Sequence, residues 1–82
     1  MELSADLVEE LHILSLYDLS SQQSGIKVHR TAEAVAIAAT RRLYDKGLLT
    51  QPDGGYLTGL GLDAAEHAQA LLTILATPVD DR

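Results

Sequence analysis

The sequence predicts one small domain, mainly α with a short β-hairpin. Three observations carry this expectation. Apolar residues recur at spacings of three and four in three separate stretches, the period of a helix with one buried face. Between the second and third stretches, "LLTQ" and "GYLT" flank "PDGG", an Asp-Gly turn signal between two strand-like runs. The chain has 82 residues, room for one modest core that is marginal without a partner.

The first helix is expected from Ser4, whose hydroxyl can accept from a free N–H of the first turn. Leu3 and Val8 stand where a hydrophobic staple needs them, and Asp6 suits the positive end of the helix dipole. Leu7, Leu11 and Leu14 form the stripe, widened by Val8, and the helix should run to about Leu19. Ile13, Leu16 and Tyr17 lie partly on another side. "SSQQSG" (20–25) is a polar break, and "IKV" (26–28) reads as a very short strand.

The second helix has Thr31 as its cap, Glu33 in its first turn and Gly47 just past its end. Arg41, Arg42 and Lys46 complement its C-terminal dipole. Ala32, Val35, Ala39 and Leu43 make one apolar row, and Ala34, Ile37, Ala38 and Tyr44 extend it round the cylinder. A helix apolar on so much of its circumference is buried on more than one side. The second side is assigned to a partner subunit in a homodimer, with Ala34, Ile37, Ala38 and Tyr44 as the interface. The alternative is a monomer whose first and last helices surround it.

In the hairpin, Gly54 and Gly55 supply positive φ, and Pro52 is tolerable only at an edge or turn. The last helix begins between Thr58 and Asp63. Thr58 could cap it, and so could Asp63 with Glu66 three residues on. Its stripe is Ala64, Ala68, Leu71 and Leu75, with Leu72 beside it, and Pro78 ends it. Gly59 and Gly61 suggest a kinked or delayed start. Residues from about 77 to 82 are expected to be a flexible tail, and 1–82 one domain.

Helix, short strand, helix, hairpin, helix is an order that resembles a winged helix. "KGLLT…GGYLTGLG" is similar to the wing of many bacterial regulators of that class. Only one long helix fits between Val28 and Gly47, so the helix-turn-helix would be degenerate, with residues 20–25 supplying its turn. A closer resemblance covers nearly the whole chain. "RRLYDKGLLTQPDGGYLTGLGLDAAEHAQALLTIL", with "GIKVH" before the second helix, resembles a family of small uncharacterised bacterial proteins of about this length. That resemblance implies no activity and no catalytic residues.

The winged-helix resemblance implies DNA as a partner, through Lys27, His29, Arg30, Arg41 and Arg42. Charge speaks against it. Six basic and twelve acidic residues give −6, which repels a polyanion on average. The basic residues, except Arg82, all fall between 27 and 46, while residues 1–18 hold five acids and no base, so the chain is polarised. The N-terminal half of the would-be reading helix presents alanines, where base readers need polar side chains. Asp53 at the wing tip would repel a phosphate. The alternative reading is a protein-interaction domain that keeps the scaffold and does not bind DNA.

Other classes find little support. There is no cysteine, hence no disulfide and no thiolate metal site. His12, His29 and His67 fall on three elements without metal-ligand spacing. No nucleophile elbow or phosphate loop is present: the glycines at 54, 55, 59 and 61 lack the lysine of a phosphate cradle. A chain this short is also expected to lack room for a cleft of about 300 Å³. Acids occupy residues 1–16 where a leader would be basic, and no apolar run approaches the roughly 18 residues of a membrane span. The expectation is therefore a cytoplasmic, non-enzymatic, homodimeric binding module without cofactor or membrane contact.

Overall fold

The computed structural model describes residues 1–21 and 25–79. Part of the polar break (22–24) and the end of the expected tail (80–82) lie outside the described residues. Three helices and three strands follow in the order α1 (Ala5–Ser15), β1 (Ile26–Lys27), α2 (Ala34–Asp45), β2 (Leu49–Gln51), β3 (Gly54–Leu57) and α3 (Gly59–Leu75). The fold is mainly α with a short hairpin, as the sequence predicts.

Ser4 caps α1 through its hydroxyl, which accepts from Leu7 N at 3.2 Å. The helix ends at Ser15 rather than near Leu19. Asp18 draws the backbone out of the helix by accepting from the N and Oγ of Ser20 at 2.9 and 2.6 Å, a local bond that competes with the helix ladder. The chain then turns Tyr17 inward, where it is buried.

β1 pairs antiparallel with β3, Ile26 opposite Gly55 and Lys27 opposite Gly54. β2 pairs with β3 on the other side, with an irregularity between Leu49 and Gln51. The strand order is β1-β3-β2, so the last strand is central. Gly54 and Gly55 take φ of +127° and +70° at the turn, as the Asp-Gly signal requires.

α2 starts at Ala34, not at Thr31. A separate turn precedes it, closed by Ala32 N donating to His29 O at 2.8 Å. Glu33 takes the capping position without a side-chain bond. The other end is regular. Gly47 has φ +84°, and the N–H groups of Gly47 and Leu48 reach back to Tyr44 O and Leu43 O, both at 2.9 Å. This pair of bonds is a Schellman motif.

α3 is capped by Thr58, the earlier of the two candidates, and Asp63 lies inside the helix. Thr58 Oγ1 donates to Gly47 O at 2.6 Å and accepts from Gly61 N at 3.0 Å. One hydroxyl thus joins the end of α2 to the start of α3. Gly61 has its own reason: a Cβ there would overlap the Leu48 carbonyl oxygen.

The core is Ile13, Leu14, Tyr17, Ala39, Leu43, Leu49, Ala65 and Ala68. Small residues on α2 and α3 allow close helix approach, and each helix buries a narrower strip than its apolar content suggests. On α1 the buried face is Glu10, Ile13 and Leu14, rotated from the Leu7–Leu11–Leu14 stripe, and Tyr17 beyond its end is buried as well. On α3 it is Gly61, Ala65 and Ala68, while Leu71 and Leu75 are exposed. On α2 only Ala39, Thr40 and Leu43 are buried, and Ala34, Val35 and Ala38 remain exposed. Neither α1 nor α3 encloses the second side of α2. Gln69 ties α3 to the end of α1, donating to Leu14 O at 3.1 Å and Tyr17 O at 2.7 Å, two carbonyls that the ended helix leaves without a partner.

Candidate functional site

The exposed side of α2 forms one wall of an open groove of about 1,100 Å³. β1 and the turn that follows it form the opposite wall, and Pro52 and Asp53 of the hairpin tip close one end. The expectation that so short a chain lacks a cleft is therefore not met. The hairpin tip and α2 leave a space between them that both line.

The groove is lined by both apolar and cationic side chains. Val28, Ala34, Ile37 and Ala38 line it together with Lys27, His29, Arg30 and Arg41. Two groups of residues that the sequence assigns to different surfaces thus share one cavity. Lys27, His29 and Arg30 are exposed, and among the described residues none forms an ion pair. Arg41 is paired with Asp45 on its own helix at 3.4 Å. Both are exposed, so the pair is weak and leaves Arg41 available. Thr40 also lines the groove but is satisfied, its hydroxyl donating to Ala36 O at 2.7 Å. Tyr44 lies further along α2, half exposed and outside the groove.

Arg42 is elsewhere. Its Nε donates to Glu10 Oε2 at 2.8 Å, and its Nη2 to Asp6 O at 3.2 Å. Lys46 Nζ donates to the other oxygen of Glu10. Glu10 is only 5 % exposed. Burial pushes its carboxyl up, but hydrogen bonds from Lys46 and Arg42 outweigh this and hold it below its ordinary value. Arg42 is raised in turn, first by its hydrogen bond to Glu10. The two cations hold α2 against α1, so of the five basic candidates four reach the groove and Arg42 does not.

Sequence reasoning missed Glu10, Val28 and Pro52. Glu10 carried a signal, since Ile13, Leu14 and Tyr17 follow it at three, four and seven residues, so it shares their face. Val28 and Pro52 carried none, because their place depends on the β1–β3 pairing and the hairpin direction. Tyr17, beyond the end of α1, donates its hydroxyl to Gly55 O at 3.2 Å, and burial pushes its pKa up to about 12. It anchors the sheet to α1 beneath the groove's β wall.

Among the described residues no group of three or more His, Asp or Glu is placed to hold a metal ion, and no helix is long and apolar enough to cross a membrane. No curated protein and no solved structure matches the chain. A family model does match, over residues 1–76, nearly the stretch in which the sequence resembles a family of small proteins. The chain belongs to the family of unknown function DUF5669.

Proposed function

We propose that this chain is a non-enzymatic, winged-helix-like binding module whose working face is the groove between β1 and α2, and that its partner is a protein segment. One observation carries the reading: apolar side chains (Val28, Ala34, Ile37, Ala38) and cationic ones (Lys27, His29, Arg30) line the same groove. An apolar lining rewards a side chain that inserts and leaves water. A phosphate backbone offers nothing to fill it. The segment that suits such a groove is amphipathic, with acidic residues flanking an apolar anchor.

DNA is the second reading, and the strand order favours it. A three-stranded sheet in the order β1-β3-β2, with the hairpin between α2 and α3, resembles the winged-helix arrangement and supports this reading. The turn at His29–Ala32 would then stand where the first helix of a helix-turn-helix belongs, in place of residues 20–25. The side chains speak against it. The N-terminal half of α2 offers Ala34, Val35, Ile37 and Ala38, none of which can hydrogen-bond a base edge. Arg42 is held by Glu10.

Titration of a labelled random duplex with the purified protein separates the two. The expected result is no saturable binding at low salt, where phosphate attraction is strongest. Micromolar binding that falls steeply with added salt and weakens in the Lys27→Ala/Arg30→Ala variant would replace the protein reading with the DNA one.

A further inference from the structure

The outer side of α3 carries a second apolar seam that the fold leaves largely unused. Leu60, Ala64, His67, Leu71 and Ile74 follow one another at spacings of four, three, four and three, the a/d repeat of paired helices. Ala64 is half-buried and also packs against the core, to which α3 otherwise gives Gly61, Ala65 and Ala68; the rest of the seam is exposed. Leu60, Leu71 and Ile74 are exposed by 59 %, 49 % and 69 %, and Leu75, beside the seam, by 70 %. His67 at the midpoint bonds its Nδ1 to Asp63 O of its own helix at 2.7 Å, so the seam's polar member is partly satisfied locally.

We propose that a second copy of this chain docks on this seam, α3 against α3, and that the groove on α2 stays free in the dimer. Two observations favour a copy over another partner. The first is area. The chain exposes 5980 Å², against about 4,800 Å² for a folded monomer of its mass, and its radius of gyration is 13.5 Å, against about 12 Å for its length. α3 has 17 residues and is about 25 Å long, and a specific pair along it has to bury roughly 1,000 Å². The second is charge. Two copies at −6 each repel, and the approach costs least where neither presents a charge. Residues 67–79 contain no Asp, Glu, Lys or Arg, so this end of α3 is the neutral part of an acidic molecule. In a two-fold pair centred on residue 67, the half of each seam that runs beside Asp63 and Glu66 meets the neutral half of its copy, so the acids of the two copies do not face each other.

This inference does not rest on the groove reading, and one set of variants keeps them apart. Sedimentation of the wild type across the micromolar range should show a reversible monomer–dimer equilibrium. Leu71→Glu and Ile74→Glu, both at exposed positions, should each raise the dimer dissociation constant roughly tenfold or more, with unchanged helix content by circular dichroism. Ile37→Glu, in the groove, should leave it unchanged. Because the chain has no cysteine, a crosslink gives a second reading. In a two-fold pair centred on the seam, residue 67 faces its own copy, so His67→Cys should oxidise to a covalent dimer much faster than Ile37→Cys. A wild type that stays monomeric throughout the range would overturn the proposal and leave the seam to a different protein. So would a dimer broken by Ile37→Glu and indifferent to Leu71→Glu and Ile74→Glu.

Discussion

Replacing Gly61 by alanine is expected to destabilise the domain by about 3 kcal/mol, a fall in melting temperature of roughly 15 °C for a chain this short. The cause is steric. Gly61 lies in the first turn of α3, directly over the Leu48 carbonyl. That carbonyl cannot step aside, because it accepts from Thr58 N at 3.0 Å, and Thr58 also bonds Gly47 O and Gly61 N. A methyl group there must push α3 away from β2 or break the Thr58 cap. Backbone offers no low-cost rotamer in reply, unlike a flexible side chain. Gly59 is the control. It lies two residues earlier in the same turn, and nothing approaches within 4 Å of a Cβ built on it. Gly59→Ala should gain roughly 0.5 kcal/mol through the lower entropy of the unfolded chain. Urea unfolding of the two variants measures the difference. Equal stabilities would mean that α3 does not cross the Gly47–Leu48 turn as closely as described.

The second large effect is expected at Glu10. Glu10→Ala should cost about 2 kcal/mol, since it leaves two cations at the α1–α2 contact without their carboxylate. The figure is set below that of a fully buried pair because the Arg42 and Lys46 side chains are 31 % and 48 % exposed and water screens them. Acid should reveal the same pair. The Glu10 carboxyl is held below its ordinary value of 4.5, so the unfolded chain binds its proton more readily than the folded one. Its contribution is then complete above about pH 4.5 and is lost as pH falls through the lower, folded value. Asp18 is also held low, by the Ser20 hydroxyl and then the Ser20 backbone, and adds the same sign of slope. Comparing wild type with Glu10→Gln cancels Asp18. The stability gap between them should be flat from neutral pH to about 4.5 and close below it. A gap that stays constant into strong acid would mean that Glu10 is not ionised in the pair.

These two residues also mark what the sequence could and could not disclose. The hairpin was legible because Asp-Gly leaves little conformational choice, and the ends of α1 and α2 at Ser4 and Gly47 were legible because capping is local chemistry; for α3, Thr58 was one of two candidate caps, because Asp63 with Glu66 offered the same local pattern. The rotation of each helix was not. In α1 a carboxylate sits on the buried face, and simple apolar counting turns the helix away from it. In α3 the core uses alanine and glycine, so the leucines that dominate its hydrophobic stripe point outward, as Leu71 and Leu75 do. Low contrast between faces defeats periodicity when the close-packed side is the small-residue side. The groove was half legible. Most of its charged and apolar residues were picked out, but as two surfaces, since only the β1–β3 pairing brings Lys27 and Arg30 beside Ala34 and Ile37. The early commitment of Arg42 to Glu10 was out of reach because it joins residues 32 positions apart.

That apolar and basic side chains line one groove is the centre of this functional reading, and a photo-crosslinking side chain tests it inside the cell. Placed at Ile37, in the groove, it should give an adduct that protease destroys and nuclease leaves intact, and Arg30→Glu in the same chain should reduce its yield. Placed at His12, exposed on α1 and away from both the groove and the α3 seam, it should not give that adduct. An adduct at position 37 that nuclease removes, or one no stronger than at position 12, would contradict the assignment of this groove to a protein partner.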